Sequence, residues 1–287
     1  MSILVIGATG QLATHLRELL ATALFFSRAD ADLGDPAELE LKAQAANPSA
    51  IVIAAAYTAV DKAETERALA WRVNAEAPAA LARVAASLDI PVIFVSTDYV
   101  FDGKGSRAYV ESDPVAPLSV YGKSKLAGEL AVAAIAPKHW VLRTSWLFSE
   151  HGNNFVKTML RLARERTELR VVADQHGRPT YAGDLARLIA ALLSGEQRIP
   201  YGIHHVGGGP ATTWHGFATQ IVARATARGL LARHIPVHPI PTSDYPTPAG
   251  RPLNSVLEPS AALQALAPVD WQAGLETVLA KLAGAPT

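Results

Sequence analysis

The 287-residue sequence contains no cysteine, which excludes disulfide staples, thiolate catalysis and cysteine-ligated zinc. It also has no net charge, because 26 basic side chains balance 26 acidic ones. A neutral chain lacks the electrostatic reason for binding DNA, RNA or an anionic membrane surface. No nucleic-acid or membrane partner is therefore expected, and a small neutral or anionic molecule takes their place. Long apolar runs are missing too. None approaches the ~20 residues of a membrane span, and Ile3 to Ile6 is too short and lacks the basic flank of a secretion signal. A cytoplasmic location is the expectation. What the chain does have is bulk: 49% hydrophobic residues over this length can bury a core without metals or cross-links.

Short apolar runs alternate with alanine-rich helical patterns through the first half. Ile3-Leu4-Val5-Ile6, Leu24-Phe25-Phe26, Ala50 to Ala55, Pro91 to Ser96 and Trp140 to Leu142 read as strands with almost no polar alternation. That is the pattern of parallel strands covered on both faces. Between them, Leu12 to Ala23, Ala37 to Ala46, Ala63 to Leu88 and Tyr121 to Ala134 are rich in helix formers, and Pro36 after Asp35 marks a helix start. The fold class predicted is α/β, a doubly wound parallel (Rossmann) sheet with a smaller, interleaved α/β domain. Residues 1–145 form the cofactor-binding part, to which the strand-like 202–206 returns, and 146–287 form mainly the substrate-binding part. Helices are expected at Phe155 to Glu165, Tyr181 to Leu193, Trp214 to Ala227 and Trp271 to Leu282. Six prolines make His234 to Pro252 extended or looping.

The first turn between strand and helix reads Gly7-Ala8-Thr9-Gly10-Gln11-Leu12-Ala13. Small residues there allow the backbone to approach a pyrophosphate, whose charge sits on the helix amides. A glycine turn after a buried strand also has a plain packing explanation, and its place in the first β-turn-α unit favours the dinucleotide. At the end of the second strand, where a carboxylate would serve an unphosphorylated ribose, stand Ser27 and Arg28. Arg28 could pair with a 2′-phosphate, so NADPH is expected over NADH, which remains the alternative. A solvated arginine would read the same way. Asp32 and Leu33 are candidate adenine contacts.

Tyr121 and Lys125 open a later helix at i,i+4 spacing, on one face. A tyrosine with a pKa of ~10 relays protons poorly at neutral pH, and a neighbouring ammonium should lower that value. Ser96-Thr97-Asp98 ends an apolar strand at its carboxyl side, where open α/β sheets bind ligands, although such residues are also common in turns. Hydroxyl, tyrosine and lysine beside a dinucleotide point to carbonyl reduction. Competing chemistries fare worse: Gly122-Lys123-Ser124 lacks the earlier P-loop glycine, His234 and His238 flank Pro236, and His204 and His205 alternate along a strand. Every histidine is read as structural or surface, and no metal ligand is assigned.

The residues resemble the extended short-chain dehydrogenase/reductases, and within them the dTDP-4-dehydrorhamnose reductase family over nearly the whole chain. The matching stretches include GATGQLA at Gly7, AAYTAVDKAE at Ala55, STDYVFDG at Ser96, YGKSKLAGE at Tyr121, RTSWLFS at Arg143, DQHGRPT at Asp174 and RPLNSVL at Arg251. The resemblance implies NADPH-dependent reduction of the 4-keto group of a dTDP-sugar, dTDP-4-dehydro-L-rhamnose. It implies that Tyr121 donates the proton, Lys125 tunes it and holds the nicotinamide ribose, and Thr97 bonds the reacting oxygen. Ala55 and Ala56 join Gly7, Gly10, Gln11 and Leu12 at the cofactor. Thr58, Val60, Asp98, Tyr99 and Trp146 would line the sugar pocket, with core packing the other reading of Trp146, and Arg251 is a candidate diphosphate partner. A homodimer is the expected assembly. Magnesium is left open, because some members carry a glutamate of a metal-bridged dimer where this chain has His15. Two rivals fit the same motifs: a non-catalytic regulatory subunit related to that of methionine adenosyltransferase, and a reductase of another 4-keto deoxysugar nucleotide.

Overall fold

The computed structural model describes residues 2–284. The elements run β1 (Ile3–Ile6), α1 (Gln11–Leu19), β2 (Leu24–Phe26), α2 (Pro36–Ala46), β3 (Ala50–Ile53), α3 (Val60–Ala63), α4 (Arg67–Trp71), α5 (Ala77–Ser87), β4 (Val92–Thr97), α6 (Val120–Ile135) and β5 (His139–Thr144). After these come β6 (Leu147–Phe148), α7 (Phe155–Glu165), β7 (Leu169–Val172), β8 (His176–Gly177), β9 (Thr180–Tyr181), α8 (Ala182–Ser194), β10 (Gly202–His205), β11 (Thr212–Thr213), α9 (Trp214–Ala227), β12 (Val237–Ile240), α10 (Ala261–Leu266) and α11 (Trp271–Leu282). The large sheet has six parallel strands in the order β10-β5-β4-β3-β1-β2. The order in which strands are added reverses between β1 and β3, and ligands of open α/β sheets bind in the crevice outside the strand ends at such a point.

Continuous apolar strands follow from burial on both faces. Leu4 and Ile6 of β1 pack with α2, α5 and α6, whereas Val5 between them packs with α1 and α8. A third core joins α7, α9 and α11 around Phe217 and Trp271. Helix starts are locally encoded: Asp35, Ser119, Asn154, Thr213 and Asp270 each accept a backbone N–H of the helix they precede. The proline-rich segment contributes β12, which lies parallel to β7 with Pro239 in an edge position.

The stretch Ala63 to Leu88, expected as one helix, is broken into α4, a π-helical turn over Arg72–Glu76, and α5. Pro78 is the physical cause, since it has no N–H to offer the Asn74 carbonyl one turn earlier. That carbonyl instead faces Gly128 of α6, where an added Cβ would collide with it. The Asn74 side chain ties the turn down, accepting from the Tyr57 amide at 2.8 Å and donating to Ser124 Oγ at 3.0 Å. Alanine is worth roughly 1 kcal/mol more than glycine inside a helix, yet Gly128→Ala should lower the urea midpoint because backbone blocks the new methyl. A raised midpoint would contradict this close approach.

Candidate active site

Thr97 ends β4 in extended conformation, and its Oγ1 accepts the Tyr99 amide at 3.2 Å, starting a short 3₁₀ turn over Asp98–Val100. The same hydroxyl donates to Asp98 Oδ1 at 3.1 Å. Ser119 caps α6 by accepting the Gly122 amide at 3.1 Å. Gly122 lies directly against the Tyr99 carbonyl, leaving no room for a side chain. The first turn of α6 is thereby pressed onto the 3₁₀ turn, and the Tyr121 phenol is brought close enough to Thr97 to feel its hydroxyl. Its ring meets that of Tyr99 edge to face at 5.9 Å.

Lys125 follows one turn later, fully buried. Its ammonium donates to the Val95 carbonyl at 2.7 Å and sits 3.9 Å over the Phe94 ring. Here the structure departs from expectation, because Lys125 does not lower Tyr121. Burial first, and then the Asp98 carboxyl, push Tyr121 up to about 12 against the Thr97 contact. Burial draws Lys125 itself down to about 7, resisted by Glu129. The phenol is therefore held protonated at neutral pH, the state a proton donor requires.

Glu129 was not singled out from the sequence, although its i,i+4 spacing from Lys125 placed it on the same face. It makes a buried ion pair with Arg143 of β5, whose Nε and Nη2 donate at 3.0 and 2.7 Å. Ser96 Oγ donates to the same carboxylate at 2.5 Å.

On the cofactor side, a groove of about 430 Å³ opens at the β1/β3 reversal, lined by Gly7, Ala8, Arg28, Asp32, Leu33, Ala55 and Ala56 among others. Gly7 has φ +112°, and a Cβ there would come within 2.8 Å of the Ala55 Cβ, so both the turn and the close approach demand glycine. Gly10 caps α1 without a side chain, leaving the first amides of the helix open to an anion. The Leu12 side chain is packed in the core, so only its backbone faces the turn. Gln11 Oε1 accepts from Asn154 Nδ2 at 2.9 Å. Arg28 is 81% exposed and pairs with Asp32 at 3.2 Å, a contact weak enough in water to be exchanged. These residues fit a dinucleotide with a phosphate at its ribose.

Thr58 is exposed and Val60 opens α3 on the loop after β3. Trp146 has φ +49°, a strained value for a large residue. Its indole stacks on Trp214 at 3.7 Å and 13° and covers Gly177, where a Cβ would come within 2.7 Å of the ring. Trp146 also packs against the core of the second half, which accords with the packing reading. Arg251 is held by Asp61 through two bonds of 2.6 and 2.8 Å; Asp61, like Trp214, was not foreseen from sequence. Among the described residues, no helix is long and apolar enough to cross a membrane.

The chain matches the RmlD substrate binding domain family over residues 1–283. It belongs to that family. Similar proteins include the dTDP-4-dehydrorhamnose reductase of Aggregatibacter actinomycetemcomitans, 44% identical over 97% of this chain and 98% of that one. A crystal structure of a dTDP-4-dehydrorhamnose reductase from Clostridium acetobutylicum superposes with a TM-score of 0.90 at 36% identity, covering 98% of this chain and 99% of that one. The Bacillus anthracis dTDP-4-dehydrorhamnose reductase, solved in complex with NADP, gives 0.89 at 35% identity over 98% and 100% of the two chains.

Asp98 is fully buried, and burial raises its carboxyl to about 7 despite contacts with Ser255 and Thr97 that pull the other way. Oδ2 has no partner at ordinary hydrogen-bond distance. With the folded value above the unfolded 3.8, the native state binds more protons between these two values, and its stability falls as pH rises through that window. Asp98→Asn should therefore melt close to the parent at pH 4 and increasingly above it up to pH 7, with a level difference beyond. Melting curves that stay parallel from pH 4 to 8 would rule out a carboxyl titrating in that range.

Proposed function

We propose that this chain reduces the 4-keto group of dTDP-4-dehydro-L-rhamnose to give dTDP-L-rhamnose, using NADPH. The observation that carries the reading is the gathering of Thr97, a protonated Tyr121 and buried Lys125 around the carboxyl end of β4, in the same parallel sheet whose β1 turn opens onto the groove. Near-full-length similarity to proteins named for this activity supports the substrate. Residues 1–145 together with β10 serve as the cofactor-binding part, and 146–287 supply most of the substrate-binding part.

When bound, the reduced nicotinamide supplies the hydride. The chain supplies position and one proton. Gly7, Gly10 and the amides of Gln11 and Leu12 hold the pyrophosphate, Arg28 the ribose phosphate, Asp32 and Leu33 the adenine end, and Ala55 and Ala56 the groove floor. Thr97 and Tyr121 converge on the keto oxygen, and the Tyr121 hydroxyl gives it the proton as negative charge develops there. Lys125, within one turn of Tyr121, balances the phenolate left behind and binds the nicotinamide ribose. Thr58, Val60, Asp98 and Tyr99 surround the hexose against the Trp146 wall, and Arg251 meets the diphosphate by exchanging its Asp61 partner.

The purified chain alone should oxidise NADPH only when the keto-sugar nucleotide is present, as followed by near-ultraviolet absorbance. Tyr121→Phe should cut turnover by roughly 100-fold or more with cofactor binding retained; near-normal turnover would remove Tyr121 from the chemistry. Absence of substrate-dependent oxidation in the parent would leave a binding protein or a different keto-sugar. Arg28→Ala should raise the KM for NADPH and spare that for NADH, whereas equal losses for both would count against the phosphate contact.

A further inference from the structure

Outside the groove, His15 of α1 meets the segment that joins β6 to α7. His15 Nε2 lies 3.6 Å from Glu150 Oε2, and His151 Nε2 lies 3.7 Å from Glu150 Oε1. One donor atom from each of the three residues falls within 4.8 Å of the others. The two imidazoles stand 5.1 Å apart at 64°. The His15 and Glu150 side chains are only 5% and 6% exposed, and His151, at 36%, keeps an open edge. His151 Nε2 is itself buried and has no hydrogen-bond partner. A buried ring nitrogen with nothing to bond is costly unless something occupies the space it faces.

We propose that His15, Glu150 and His151 form a binding site for a divalent transition-metal ion of the zinc class, with water completing the coordination. Ligand atoms held tetrahedrally at 2.0–2.2 Å from an ion stand about 3.3–3.6 Å apart; the two nitrogen–carboxylate separations, each to a different oxygen, are already close to that, and a donor set that lies within 4.8 Å closes by up to roughly an ångström through side-chain rotation when the ion binds. Two imidazoles and one carboxylate suit zinc, cobalt or nickel. They do not suit magnesium, which demands oxygen donors in octahedral array. On this reading the ion at His15 is not magnesium.

The carboxylate is pre-oriented. Lys281 of α11 donates to Glu150 Oε1 at 2.5 Å, and the Tyr181 hydroxyl reaches the same group at 3.3 Å. Such outer contacts fix a ligand before the ion arrives, while the ammonium weakens attraction for a dication. Ser149 Oγ, now 3.0 Å from His15 Nε2, gives up that contact on binding. The ion would clamp α1 to the start of α7, next to the Asn154 to Gln11 bond that already joins them. Binding to the folded state alone should raise the melting temperature.

Untagged, chelator-treated protein should take up one equivalent of Zn²⁺ by calorimetry, and one of Co²⁺ with the intense visible absorption of a tetrahedral site. His15→Gln and His151→Ala should each weaken uptake more than 10-fold and abolish the Zn²⁺-induced rise in melting temperature, while His238→Ala on the surface leaves both unchanged. Absence of saturable uptake, or uptake undiminished in His151→Ala, overturns the proposal. His151 is partly exposed, so that variant decides the matter even if the His15 variant fails to fold.

Discussion

The active-site geometry hangs on the buried ion pair between Glu129 and Arg143. Glu129 belongs to α6, which also carries Tyr121 and Lys125, and Arg143 to β5, beside β4 with its terminal Thr97. The two-pronged pairing of guanidinium and carboxylate fixes the rotation of α6 about its axis as well as its distance from the sheet. A charge pair is an expensive way to join a helix to a sheet, since both ions lose their water. The same contact could be apolar at less cost. What an apolar contact lacks is direction: Leu or Ile at these positions would tolerate small rotations, and a rotation of α6 moves the phenol relative to Thr97. Ser96 donates to Glu129 as well, so the end of β4 is registered against the helix by the same carboxylate.

The electrostatics of the site have one cause. Asp98 and Lys125 are buried and Tyr121 is partly buried, and each is displaced toward its neutral form. Desolvation dominates every neighbouring charge. The expectation that Lys125 would make Tyr121 acidic treated the pair as though it stood in water. In the closed cluster the ammonium is spent on the Val95 carbonyl and the Phe94 face, and the phenol keeps its proton. This makes Tyr121 a weaker acid than a free phenol, so the drive for proton transfer has to come from the negative charge that develops on the acceptor oxygen.

Local order carried most of what the sequence made legible. The parallel strands announced themselves because both faces are covered, and the helices at Phe155–Glu165, Trp214–Ala227 and Trp271–Leu282 match their sequence boundaries. Thr97, Tyr121 and Lys125 were visible because a strand end and a helix start are local features. What escaped was long-range. Pro78 was in plain view, yet its effect depended on Gly128 coming up under the freed Asn74 carbonyl from another helix. Likewise Arg251 was recognised as a loop arginine, whereas its partner Asp61 stands 190 positions away.

Arg251 also shows how an apo arrangement and a binding role can be reconciled. A guanidinium on the surface would attract a diphosphate from a distance and be screened by salt. Bonded to Asp61 and half-buried beside Tyr99, it is satisfied and held in one place. An incoming diphosphate then gains only the difference between its own bonds and those to the carboxylate, and Asp61 must return to water when it is displaced. Such an arrangement lowers raw affinity but rejects lesser anions, because a single-charged ligand cannot offer more than the carboxylate already does. If Arg251 takes the proposed diphosphate role, the pairing that occupies it would act as a filter in favour of a doubly charged partner, a constraint that the sequence, which offered Arg251 as a candidate diphosphate contact, did not show.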